Sequence, residues 1–184
     1  MGRTRPALAV NLIVGMLSSG SDEDLFEMAE TKLEKKFGPI DLASGAIPFN
    51  FTDYYKEEMG TDVRRKFISF ERLIKPDRIA PIKVFTNRME EDFSAMRLSA
   101  GRPINLDPAY IGGGKLVLAT TKDNAHRIFL EEGIYAEVAL RYVGGRFVPL
   151  PWTYFDYKSK EYLEFFSRVR ELYLDKLERQ VVEA

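Results

Sequence analysis

The chain opens with an almost continuous apolar run from Ala7 to Met16, the pattern of a central strand covered on both faces. Ser21 then offers an N-cap hydroxyl, and Asp22, Glu23 and Asp24 suit the positive end of a helix. Phe26, Ala29, Leu33 and Phe37 recur at helical spacing until Gly38-Pro39 stops them. Ile40 to Phe51 reads as extended, punctuated by Gly45 and Pro48. Val63 to Ile74 fits two templates: Val63, Phe67, Phe70 and Ile74 suit a helix, whereas Lys66 to Glu71 looks like a strand of mixed burial. A clearer helix opens at Pro76-Asp77, with Ile79, Ile82, Phe85, Met89 and Phe93 on one stripe, so strand followed by helix is preferred. Pro103 to Ile111 is the next extended segment.

This order, β-α-β-β-α-β, predicts a ferredoxin-like split β-α-β core. Short strands joined by turns extend it into an antiparallel meander: Leu116 to Thr121, His126 to Leu130, Ile134 to Tyr142, and Arg146 to Leu150 after the hairpin pair Gly144-Gly145. In the third of these, Ile134, Ala136, Val138, Leu140 and Tyr142 are expected on one face, with Tyr135, Glu137 and Arg141 on the other. Ser159 caps a C-terminal helix whose Tyr162, Phe166, Val169, Tyr173 and Leu177 would pack on the sheet. The expectation is one α+β domain over residues 1–184, in two layers with the helices on one face.

Composition narrows the chemistry. The 184 residues carry 27 basic and 28 acidic side chains, so no global field draws the chain to nucleic acid or an anionic membrane. Without cysteine there are no disulfides, thiolate nucleophiles or cysteine-ligated metal sites, and a cytoplasmic location is expected. The first apolar run is too short to span a bilayer.

Polar residues gather beside aromatics in several blocks. They are Phe51-Thr52-Asp53-Tyr54-Tyr55, Phe70-Glu71-Arg72, Thr86-Asn87, Asn105-Leu106-Asp107-Pro108, Thr120 to Arg127, and Pro151-Trp152-Thr153-Tyr154-Phe155-Asp156-Tyr157. Through Phe51 to Tyr55, Ser69-Phe70-Glu71, Asn105 to Pro108, Lys115 to Arg127 and Pro149 to Tyr154, nearly the whole chain resembles a prokaryotic domain-of-unknown-function family, numbered 4416, whose members are sometimes labelled GTP-binding. The resemblance implies no activity. Gly112-Gly113-Gly114-Lys115 is followed by Leu116 and lacks P-loop spacing, and Thr121-Lys122-Asp123 lacks the spacer of a guanine-reading element.

Two readings of the blocks stand side by side. In the first, a pocket binds or acts on a small anionic metabolite or nucleotide. Arg127, Lys122 and Lys115 would hold the anion, with Tyr54 and Trp152 contributing ring surface. Asp53, Asp107 and Glu71 would transfer protons or bind a divalent cation such as magnesium, manganese or calcium, and His126, the lone histidine, would be the titrating group. In the second, the chain is a non-catalytic ligand-sensing or protein-interaction module, which could assemble as a homo-oligomer. Under it His126 is a hydrogen-bonded sheet residue, Thr52 or Asp53 caps a short helix running to Gly60, Asn105 to Pro108 ends a strand in a turn, the cations are surface charge, and the Trp152 segment pins a loop. The two part on whether Asp53, Glu71, Asp107 and His126 meet in space.

Overall fold

The computed structural model describes residues 2–20, 22–52, 54–97 and 102–182. Nine strands among them form one antiparallel sheet, in the order β2-β4-β1-β5-β6-β8-β7, with β3 beside β4 and β9 beside β8. The run begins with β1 (Val10–Ser19), α1 (Glu23–Phe37), β2 (Ile40–Ala43), β3 (Ile47–Pro48), the single turn α2 (Lys56–Met59) and β4 (Val63–Ile74). Then come α3 (Ile79–Arg97), β5 (Ile104–Gly112), β6 (Lys115–Thr120), β7 (Ile128–Glu131), β8 (Ile134–Val143), β9 (Arg146–Pro149) and α4 (Lys160–Val182). The α+β class expected from the pattern is what the chain adopts. β1 and β2 both pair antiparallel with β4, which splits the first β-α-β unit.

The ambiguous Val63 to Ile74 is strand throughout, because it lies between β1 and β2, where the ladder on both sides satisfies its backbone. Alternation along β1 divides the core. Leu12, Val14 and Met16 face α1 and α3, packing with Leu25, Leu33, Met89 and Phe93. Ile13 faces the other way, towards Phe67, Tyr162, Phe166 and Val169. The C-terminal helix therefore covers the opposite face from α1 and α3, and the expected two layers are three. The stripe Tyr162, Phe166, Val169 and Tyr173 is correct; the sequence simply does not encode which face receives it.

β8 departs from the clean alternation expected of it. Leu116 stands opposite Leu140 but Val117 opposite Val138, so Ala139 is an extra residue, a bulge. Before it, Ile134 packs towards α3; after it, Leu140 packs towards α4. Glu137, before the bulge and on the face opposite Ile134 as the alternation expects, is nonetheless buried, at 2 % exposure. The hairpin at Gly144-Gly145 forms as expected, with φ of 59° and 79°, the two left-handed positions of a type I′ turn.

Caps are less faithful to the pattern. Ser21 lies outside the described residues, and α1 has Asp22 at its N-cap position with no side-chain cap bond. The short helix ending at Gly60 exists, but Tyr55 occupies its N-cap position, while Thr52 Oγ1 accepts from the Tyr54 N–H at 3.1 Å. Ser159 does serve α4, its Oγ accepting from the Tyr162 N–H at 3.4 Å. Near its other end α4 is tied down by Lys176, whose Nζ donates to Asn11 Oδ1, 2.5 Å away, and to the Phe70 carbonyl at 2.9 Å, and pairs with Asp41. No helix among the described residues is long and apolar enough to cross a membrane.

Phe166 is fully buried amid Phe67, Tyr157 and Phe147. Phe166→Ala should cost about 3–5 kcal/mol, read as a fall in the urea midpoint at unchanged slope.

Candidate functional site

The β5–β6 ladder runs from Gly112↔Lys115 only as far as Ala109↔Leu118, although both strands continue beyond it. Pro108, the next residue of β5, has no N–H with which to extend pairing. Leu106 lies two residues further and faces the same edge, so its backbone groups need other partners. Two side chains of α3 supply them. Lys83 Nζ donates to the Leu106 carbonyl at 2.7 Å, and the Leu106 N–H donates to Glu90 Oε1 at 2.7 Å. Lys83 and Glu90 are buried to 5 % and 6 % exposure, in place of strand β6.

The gap between the strands holds a cavity of about 510 Å³. That volume lies in the range of small-molecule sites, about 300–1,000 Å³. Asn105 and Asp107 come from β5; Leu118 to Lys122 from β6 and the turn after it; Phe51, Thr52, Tyr54 and Tyr55 from the segment before α2; Tyr154 to Tyr157 from the loop before α4.

Asp107 is the hub. Its carboxylate accepts from Asn105 Nδ2 at 2.6 Å, Arg65 Nη1 at 3.2 Å and Lys83 Nζ at 3.4 Å. Burial would raise the Asp107 carboxyl, but the charges of Lys83 and Arg65, with their hydrogen bonds and that of Asn105, outweigh it and hold the group below the usual carboxylate range. The other arm of Arg65 reaches Asp156 at 3.5 Å, so one guanidinium bridges two carboxylates. Burial opposes the Arg65 charge, and the two aspartates more than offset it. Burial raises Asp156 and Glu90 instead, despite Arg65 beside the first and Lys83 beside the second. Arg102 donates to Glu90 at 3.1 Å and to Glu58 at 3.3 Å. Burial and the nearby Asp107 push the Tyr55 hydroxyl up to about 12, so it remains a donor at neutral pH.

Beside the cavity lies a second cluster, organised by Glu137. Its Oε2 accepts from Arg127 Nε at 2.6 Å and lies 2.9 Å from His126 Nε2. Arg127 also donates to the Lys122 carbonyl at 3.0 Å and to the Tyr154 hydroxyl at 2.7 Å, fixing two segments of the cavity rim. The His126 ring stacks on Trp152 at 5.4 Å, and Trp152 Nε1 donates to the Val138 carbonyl at 2.9 Å.

The family model for the domain of unknown function DUF4416 matches residues 8–173, a span that contains every residue of this cavity. The chain belongs to this family. No curated protein and no solved structure matches it.

Within this DUF4416 domain the residues singled out in the sequence do not form one constellation. Asp107, Lys122 and Tyr54 line the cavity. Arg127 stands just behind its rim. His126 lies outside the cavity, facing Glu137 rather than any aspartate, and Trp152 is with it. Glu71 is on the exposed end of β4, six residues or roughly 20 Å along the strand from Arg65. Lys115 is at the far end of β6 from Thr120, roughly 17 Å away. Asp53 lies outside the described residues. Glu71, Asp107 and His126 thus do not meet, because strand direction carries Glu71 to the opposite end of the sheet.

Arg65, Lys83, Glu90, Arg102 and Glu137 were not among the residues singled out. Three of them carried a signal: Arg65 alternates with Val63 and Phe67 on the inward face of β4, and Lys83 and Glu90 sit within the apolar stripe of α3. A charge at a core position needs a partner. Among the described residues no three of His, Cys, Asp and Glu gather as a metal ion would need. Asp107 is ionised but already paired with Lys83 and Arg65, so this donor set fits a polar organic ligand better than a divalent cation.

Removing Lys83 should expose this arrangement. Asp107, held below its ordinary value, stabilises the fold above the unfolded carboxylate pKa and loses that contribution as pH falls through its folded value. Lys83→Met removes the cation that lowers Asp107 and restrains the rise of Glu90. It should cost about 3–5 kcal/mol at neutral pH, and the difference from wild type should shrink as both carboxyls protonate in acid, read from denaturation midpoints against pH.

Proposed function

We propose that this domain binds a small anionic metabolite, of nucleotide or similar size, in the cavity between β5 and β6. The observation that carries the reading is the gap itself: a strand pair opened at Ala109↔Leu118, its exposed backbone served by Lys83 and Glu90, around a space with both aromatic and charged walls. Sheets close their ladders where nothing prevents it, and two buried ionic groups are a costly way to hold one open. Such a mixture of apolar surface and a few fixed polar groups is the make-up of ligand sites.

Thermal unfolding against nucleotides, sugar phosphates, dicarboxylates and inorganic phosphate tests it. A ligand at 100 times its dissociation constant adds about 2.7 kcal/mol, a rise of roughly 5–11 °C in Tm for a chain of this size. Tyr54→Ala, at an exposed position on the cavity wall, should reduce that rise. If no compound of the panel moves Tm, the reading is wrong.

A second reading, an interaction module, has one observation in its favour. Strand β7 ends the sheet, and Ile128, Phe129 and Leu130 on it are 73 %, 56 % and 38 % exposed. An unpaired apolar edge invites another strand, and a second copy of the chain would pair there antiparallel. Sedimentation velocity should then show a dimer that Phe129→Lys dissociates; a monomeric wild type at all concentrations would exclude it.

A further inference from the structure

The charges around the cavity are unevenly satisfied, and the imbalance has a direction. Three cations are matched by carboxylates: Arg65 by Asp107 and Asp156, Lys83 by Asp107 and Glu90, and Arg102 by Glu90 and Glu58. Lys122 differs. It is exposed at the rim, has no carboxylate partner among the described residues, and places its ammonium 4.8 Å above the Tyr54 ring. A ring face does not neutralise a cation. An incoming anion therefore gains most at the rim, where the positive charge is unspent.

The floor asks for something else. The Asp107 side chain is 24 % exposed, towards the cavity, and its carboxylate stays ionised, so it accepts hydrogen bonds from a ligand. Asn87, half-buried on α3, adds an amide with both donors and an acceptor. At the floor Arg65 and Lys83 are already engaged by Asp107, Asp156 and Glu90, so an anionic group gains little there, whereas hydroxyl, amino or ring N–H groups find a carboxylate acceptor. Between floor and rim stand Phe51, Tyr54, Tyr154 and Phe155, which are 42 %, 61 %, 44 % and 77 % exposed. One exposed ring is ordinary; four round one opening, drawn from two separate loops, give flat apolar surface to a ring.

We propose that the cavity takes a phosphorylated polar ring compound in one orientation, ring first, with its hydrogen-bond donors at Asp107 and Asn87 and its phosphate outside at Lys122. This rests on the cavity being a binding site. A nucleoside monophosphate and a sugar phosphate share this chemistry; the exposed rings favour the flatter base.

Calorimetric titration of the full chain separates the sources and the orientation. The probes are adenosine and guanosine monophosphates, ribose and glucose phosphates, the same four compounds without phosphate, and inorganic phosphate. A phosphorylated ring compound should bind at least about tenfold more tightly than either its dephosphorylated form or inorganic phosphate. Lys122→Ala should weaken the phosphorylated compound about five- to tenfold and leave the dephosphorylated one unchanged. Asn87→Ala, which leaves the ion pairs of the floor intact, should weaken both forms alike. A nucleotide arm alone responding assigns the base as the ring; a sugar phosphate arm alone responding assigns the sugar. Inorganic phosphate binding as tightly as any ring compound, or Lys122→Ala affecting both forms equally, would overturn the orientation while leaving an anion site. Absence of binding by every probe and by every compound of the thermal panel would overturn both proposals.

Discussion

A buried strand that loses its neighbour must find partners for its backbone or come apart, and at Leu106 that requirement is met by two charged side chains from a helix. Much else follows from this exchange. Lys83 and Glu90 have to be buried to reach Leu106, and being buried they have to be paired. Glu90 takes Arg102, and Lys83 takes Asp107. Asp107 takes Arg65, and Arg65 takes Asp156 on the loop before α4. A chain of ion pairs thus crosses from the α3 face of the sheet to the α4 face through the gap, where intact strands would have barred the way.

This explains why carboxyl groups in one small region are driven in opposite directions. Burial acts on all of them, raising Asp156 and Glu90, but Asp107 touches two cations and an amide and goes down. The site therefore keeps an ionised carboxylate at its centre, paired with two cations and flanked by carboxyl groups that burial drives the other way. Fixed charge in a low-dielectric setting discriminates between ligands by sign and by hydrogen-bond direction, which is the property the cavity most plainly has.

Sequence pattern reached the elements well, because periodicity is local: the stripes of α3 and α4, the strands of the meander and the Gly144-Gly145 turn are each set within a dozen residues. It reached the layering less well. Which face α4 covers depends on contacts from Tyr162 back to Phe67, nearly a hundred positions away. The bulge at Ala139 was hidden too, since apolar residues lie on both sides of it and alternation survives on paper. For the site, residue types drew attention to His126, Glu71 and Lys115 for their chemistry alone, while strand direction scattered them. Asp107, Lys122 and Tyr54 do share the cavity. The residues overlooked were charges set in apolar stripes, where pattern-reading discounts them as interruptions although burial makes them the most constrained polar groups in the chain.

The two anchors of α4 have a mechanical consequence. Asp156, just before the helix, is held by Arg65 at the cavity, and Lys176, near the other end, is held by Asn11, Asp41 and the Phe70 carbonyl. Some sixteen residues of helix separate Lys160 from Lys176, a rigid rod of roughly 24 Å. A rod fixed at both ends cannot tilt at one without straining the other. The wall of the cavity is in this sense clamped from the far side of the sheet, and its stiffness is set by a lysine that never approaches it.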